Sequence, residues 1–171
     1  SAKLKGIFGD GFDYEAVRSK RVELMDNYVE KNGIEVKSGA KELLSFLKEN
    51  GYKVALATAT PPQRAERYLK AHDLYKYFDV TVSASMVSVG KPAPDIYLKA
   101  AEMLGLSPQN CVALEDSPNG IKSASSAGCV TVMVPDLDKP SNDIIPLLHG
   151  VADGLSDVKR ILRELEDCNI Q

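Results

Sequence analysis

The chain has 171 residues, enough for one full domain core or for one core with an appendage. Hydrophobic residues make up 44% and charged residues 26%, and the net charge of -3 comes from interspersed acids and bases, which leaves no footprint for nucleic acid or an anionic membrane. No apolar run approaches bilayer length, and the three cysteines (Cys111, Cys129 and Cys168) lack CxxC spacing and read as small hydrophobes in a reducing cytosol, so a cytoplasmic location is expected.

Residues 3–13, KLKGIFGDGFD, mix Leu4, Ile7 and Phe8 with glycines and aspartates and read as a loop or an irregular edge. From Tyr14 to about Lys31, Val17, Val22, Leu24, Met25, Tyr28 and Val29 recur at three- and four-residue spacing. That spacing predicts an amphipathic helix, with Asp13 as N-cap and Gly33 as stop. After a linker at Ile34 to Val36, Ser38 is expected to cap a helix from Gly39 to Asn50, whose Leu43, Leu44 and Leu47 share a face and which Gly51 ends. Tyr52 to Ala57 reads as a buried strand running into Thr58-Ala59-Thr60-Pro61, and Pro62 opens a helix to about His72. Phe78 to Ser83 is a further strand, and the stiff loop Gly90-Lys91-Pro92-Ala93-Pro94-Asp95 leads into a helix that stops at Gly105.

The apolar run Cys111 to Leu114 ends abruptly in Glu115 and Asp116, and Ser117-Pro118-Asn119-Gly120 follows, opening a small-residue helix that closes at Gly128. A strand at Val130 to Val134, a helix near Ser141 to Leu148 and a last helix from about Ser156 to Glu166 complete the chain. Strand and helix alternate from Tyr52 onward, which implies βαβ units: an α/β fold with a parallel sheet between two helix layers. The part before Ser38 does not share this alternation and reads as a helical appendage. His72 and His149 have no His, Cys or acid at ligand spacing and read as surface or structural residues.

Two adjacent carboxylates at the carboxyl end of a buried strand call for a cation or donors facing them. In open α/β sheets ligands sit at that edge, and right-handed crossovers bring Thr58, Lys91 and Glu115-Asp116 to it together. A hydroxyl followed by backbone amides, an ammonium and a metal-binding carboxylate are the parts that hold a phosphoryl group and Mg²⁺. Each residue also has a plainer reading: Thr58 and Thr60 as caps of the next helix, Lys91 as a solvated charge, the acids as anions at a helix start. A Walker-type loop and a GxGxxG run are both absent. Receiver-type signalling domains gather similar groups with the acids first and the lysine last; here the order is Thr, Lys, acids.

The runs ALATAT, GKPAPDIY and LEDSPNGIKSASSAG, in this order, resemble the haloacid dehalogenase superfamily in its β-phosphoglucomutase-like phosphatase branch, from about Phe8 to the C-terminus. The resemblance implies a Rossmann-like three-layer core, a helical cap inserted after the first strand, and Mg²⁺-dependent phosphoryl transfer through an aspartyl-phosphate. The implied substrate is a small phosphorylated metabolite such as a sugar phosphate. By the same resemblance Thr58 and the amide of Ala59 bind the transferring phosphoryl group, and Lys91 neutralises its oxygens and the nucleophile. Asp116 is the implied Mg²⁺ ligand, with Glu115 a second ligand or the holder of a metal-bound water. Arg21 roughly matches a cap lysine of the mutases; a solvated helix charge is its plainer reading.

The family's first strand ends in DxDG, with a nucleophilic Asp and then a general acid/base Asp. Asp10-Gly11-Phe12-Asp13 differs, because its acids are three apart and Gly9 stands where the nucleophile would follow Ile7-Phe8. The segment from Phe8 to Val36 resembles the last part of the cap instead. Residues 1–36 are therefore expected to be the C-terminal part of a cap, a remnant of it, and residues 37–171 a core without its first strand, the nucleophile lying in a segment absent from this chain. In the family that strand lies between those ending at Thr58 and Glu115, whose buried edges need a partner. An N-terminal piece, residues 3–8 folding in, or a neighbouring chain would supply it. The leading expectation is a phosphatase, the alternatives being a sugar phosphomutase and, in another class, a catalytically inactive fragment or binding module. The 171-residue chain alone is expected to be inactive or nearly so.

Overall fold

The computed structural model describes residues 2–168. The chain divides into two compact units between Glu35 and Val36.

The first unit holds helices α1 (Ala2–Phe8) and α2 (Tyr14–Asn32). The loop or irregular edge expected over residues 3–13 is thus corrected: its first half is helical, and the same finding removes a strand made by residues 3–8. Good helix formers surround Gly6, and one interior glycine costs only about 1 kcal/mol; Gly9 then ends the helix, its N–H donating to Lys5 O at 2.8 Å. The second helix begins as expected, Asp13 Oδ1 accepting the Ala16 N–H at 2.9 Å, and ends at Gly33. No side chain of α2 is buried, so its apolar residues do not form the packed stripe their spacing suggested.

The second unit opens with α3 (Ala40–Glu49), whose N-cap is Gly39 in the left-handed conformation with no side-chain cap, rather than Ser38. A Cβ on Gly39 would lie 2.6 Å from Ser156 Oγ, so this position also lets another loop pass close. Strands β1 (Ala55–Thr58) and β2 (Val80–Ser83) pair in parallel from Ala55↔Val80 to Thr58↔Ser83, with α4 (Pro62–Ala71) crossing between them. Helix α5 (Asp95–Leu104) follows, stopped by Gly105 at φ 68°. Strand β3 (Val112–Glu115) pairs in parallel with β4 (Val130–Met133) through the crossover α6 (Pro118–Ser126), and β4 pairs with β5 (Gly150–Val151). The last helix is α7 (Val158–Cys168).

Between β4 and β5 the expected helix over residues 141–148 is only a short 3₁₀ turn, Ile145–Leu147. Pro146 sits inside it without an N–H to continue an α-helix. Strand β5, which the sequence did not disclose, is introduced by His149. Its N–H donates to Thr131 O at 2.8 Å, and its ring Nδ1 accepts the Thr131 N–H at 3.1 Å. His149 is structural.

Alternation along the strands builds a layer on each face. Val132 and Val134 pack with Leu43 of α3 and with Val158, Ile161 and Leu162 of α7. Met133 turns the other way onto Ile121 of α6 and Ile144, and Val82 packs on Ile96 and Ala100 of α5. Each such aliphatic side chain stabilises the fold by about 1.5–3 kcal/mol when fully buried. The architecture is α/β with parallel strands, Rossmann-like.

The strands form two sheets, β1-β2 and β3-β4-β5, and among the described residues none pairs with the far edge of β1 or β3. A cleft of about 480 Å³ lies between those edges. It is lined by β1 and β3, by α3 and α7, and by α5. Val54 O accepts an N–H from the β2 side, and Cys111 O and Glu115 O accept from the β4 side. Backbone groups alternate in direction along a strand, so those of Ala55 and Ala57, and of Val112 and Leu114, face the cleft.

Candidate active site

Glu115 ends β3 with only 7% of its surface exposed. One carboxylate oxygen, Oε1, accepts from both the Lys91 ammonium and the Tyr97 hydroxyl. Oε2 lies 3.5 Å from Ser117 Oγ, and the carboxylate rests on Gly120, where an added Cβ would overlap it outright. The acids do not cap α6; Ser117 Oγ does, accepting the Gly120 N–H at 3.2 Å. A buried ion pair with a second donor is costly to break, because one charge is then left uncompensated.

Lys91 reaches the pair from a loop held at three points. Ala93 N–H donates to Gly90 O at 3.1 Å, Ser123 Oγ donates to Ala93 O at 2.6 Å, and Val89 N–H donates to Asp95 Oδ1 at 3.2 Å. The ammonium also donates to Ala57 O at 3.3 Å and lies 5.0 Å from the centre of the Tyr97 ring. Lys91 therefore spans the cleft at its carboxyl end, joining the exposed edge of β1 to the end of β3. Burial and the nearby Glu115 charge push the Tyr97 phenol far above its ordinary range, so it stays a hydrogen-bond donor. Farther along the cleft, burial raises the Cys129 thiol to about 11, with the nearby Cys111 adding to it.

The structure thus brings Lys91 and Glu115 into contact and ties them to Ala57, immediately before Thr58. Thr58 Oγ1 accepts the Thr60 N–H at 3.0 Å, and α4 starts from Pro61 without a side-chain cap, so neither threonine caps that helix. Ala59 and Asp116 are exposed at the same two strand ends. Arg21 is exposed on α2 in the first unit. Asp13 is taken up as the cap of α2. The sequence reading missed Tyr97. Its one signal was its place in GKPAPDIY, six residues after Lys91, where a tyrosine in a helix's first turn ordinarily reads as core.

Among the described residues no group of three or more His, Cys, Asp or Glu side chains gathers at one point. Asp116 and Glu115 are hard oxygen donors on adjacent residues, and Mg²⁺ is commonly held by one or two carboxylates with water and substrate phosphate completing its shell. The donor chemistry fits Mg²⁺, although Oε1 of Glu115 is already engaged. No helix among the described residues is long and apolar enough to cross a membrane.

A family model described as haloacid dehalogenase-like hydrolase matches residues 7–128. A phosphorylated carbohydrates phosphatase from Thermotoga maritima is 40% identical over 124 residues, 72% of this chain and 50% of that protein. The chain thus spans about half the length of this curated relative. A Thermotoga maritima crystal structure provisionally assigned as a beta-phosphoglucomutase superposes with a TM-score of 0.75 at 32% identity, covering 91% of this chain and 72% of the other. The crystal structure of CbbY from Rhodobacter sphaeroides in complex with phosphate gives a TM-score of 0.72 at 26% identity, covering 86% and 67%.

Proposed function

Because the chain belongs to the haloacid dehalogenase-like hydrolase family, we propose that it carries the phosphoryl-binding half of a phosphomonoesterase acting on a small phosphorylated carbohydrate. The other half is a strand seated in the cleft between β1 and β3, with a nucleophilic aspartate at its carboxyl end. The observation that carries this reading is Lys91, whose ammonium spans the cleft mouth from Ala57 O to Glu115. A carboxylate arriving there would meet a cation already in place. The substrate class rests on the phosphorylated carbohydrates phosphatase among the relatives.

In this reading the aspartate attacks phosphorus, the P–O bond to the sugar breaks, and the sugar oxygen leaves with a proton from the second Asp of the strand. Water then cleaves the acyl phosphate and releases inorganic phosphate. Lys91 offsets the charge on the phosphoryl oxygens and the attacking carboxylate, and Thr58 Oγ1 and the Ala59 N–H donate to those oxygens. Asp116, with Glu115, would hold Mg²⁺, which supplies further charge neutralisation. The first unit is the C-terminal part of a cap, and Arg21 is its candidate contact to substrate.

The test is an assay of the 171-residue chain with Mg²⁺ and p-nitrophenyl phosphate, alone and with an added segment carrying an apolar strand that ends in Asp-x-Asp. Negligible turnover alone, turnover with the segment, and its abolition by Asp116→Ala are expected. Robust turnover by the chain alone would show that the nucleophile lies within it. Activity surviving Asp116→Ala would remove the metal assignment.

A further inference from the structure

We propose that Tyr97 is a positioning residue of this site: its hydroxyl fixes Oε1 of Glu115 and thereby holds the Lys91 ammonium at the carboxyl end of the cleft. Lysine is a flexible stem bearing a point charge, and its ammonium can satisfy itself in many directions. Here three groups of fixed origin surround it: Ala57 O on β1 at 3.3 Å, Glu115 on β3, and the Tyr97 hydroxyl at 3.4 Å. The first two lie on separate sheets, and Tyr97, in the first turn of α5, contacts both Lys91 and Glu115.

The Tyr97 ring packs against the apolar clusters around Val82 and around Ala113, which keeps the phenol in place. Gly120 and Ser117 define where the other Glu115 oxygen lies. The two oxygens turn together, so the hydroxyl on Oε1 and the contacts of Oε2 hold the carboxylate's rotation from both sides, and the hydroxyl acts on the oxygen that meets Lys91. A phenylalanine would preserve the ring beneath the ammonium and the packing, but not this directional bond. The consequence for catalysis rests on the phosphoryl-transfer reading above; the geometric role does not.

The experiment compares the full 171-residue chain with Tyr97→Phe. Lysines are labelled briefly with a small acylating reagent and counted site by site by peptide mass spectrometry. Lys48, in its own ion pair with Asp79, is the internal control. Labelling of Lys91 is expected to rise about fivefold, the factor matching loss of one hydrogen bond of ordinary net strength, with Lys48 unchanged and Tm within about 4 °C. A parallel rise at Lys48, or no rise at Lys91, overturns the proposal. Should Tyr97→Phe fold poorly, proton NMR of the unsubstituted chain decides. A slowly exchanging, downfield phenolic proton assigned to Tyr97 is expected, and its absence overturns the proposal. Inorganic phosphate with Mg²⁺ in a further arm tests the other reading. If they fail to slow Lys91 labelling in the unsubstituted chain, phosphoryl binding fails while the role of Tyr97 is judged on the variant.

Discussion

Glu115 occupies space that only a glycine at position 120 leaves open. Gly120 is buried at the start of α6, and any β-carbon there must push the carboxylate out of its place. Displacing it separates a buried acid from both Lys91 and Tyr97, so the cost combines overpacking with a broken buried ion pair. Gly120→Ala is expected to destabilise the chain by about 2–4 kcal/mol in urea denaturation. Gly154→Ala is the matched control, since a β-carbon there meets open space, and a change within about 0.5 kcal/mol is expected. Equal effects at the two positions would show that the Glu115 carboxylate does not rest on Gly120.

At the scale of elements, β1 and β3 each have one edge in a parallel ladder and one facing the cleft. Hydrogen exchange should separate the two kinds of amide within a single short strand. Ala55, Ala57, Val112 and Leu114 face the cleft, whereas Leu56 faces β2 and Ala113 faces β4. The cleft-facing amides are expected to exchange faster than their neighbours by about an order of magnitude or more. Uniform protection along β1 and β3 would mean that another group already bonds those edges. The elements themselves were largely legible in the sequence. Glycines past helix ends, such as Gly51 and Gly105, and short apolar runs between them mark boundaries that local chemistry decides. What failed locally failed for tertiary reasons. Residues 141–148 carry apolar positions at helical spacing, yet Ile144 serves the core beside Met133, and the following backbone is drawn into β5. The site was legible as acids, a lysine and a threonine at strand ends. Tyr97 was not, because a phenol in a helix's first turn looks the same whether its hydroxyl meets a carboxylate or solvent.

For the molecule as a whole, the cleft sets a mass-action rule. Native interiors rarely hold voids much larger than a water molecule, and buried strand edges are almost always paired. A segment that binds the folded chain in this cleft, and not the unfolded one, must raise stability in proportion to the logarithm of its concentration. On the proposed reading, the fitting segment is extended and parallel to β1 and β3. It is apolar on both faces, because helices α3 and α7 lie on one side and α5 on the other. It ends in a carboxylate where Lys91 spans the mouth. At a hundredfold excess over its Kd, such a peptide is expected to add about 2.7 kcal/mol, or roughly 5–10 °C in Tm, rising further with concentration. The same residues in reversed order would place the carboxylate at the wrong end when bound in parallel, and should stabilise far less. Thermal denaturation at several concentrations of each peptide distinguishes the cases. Equal shifts from both would reduce the cleft to a nonspecific apolar surface. A shift from the forward peptide that vanishes in Lys91→Ala would tie strand insertion to the lysine at the cleft mouth.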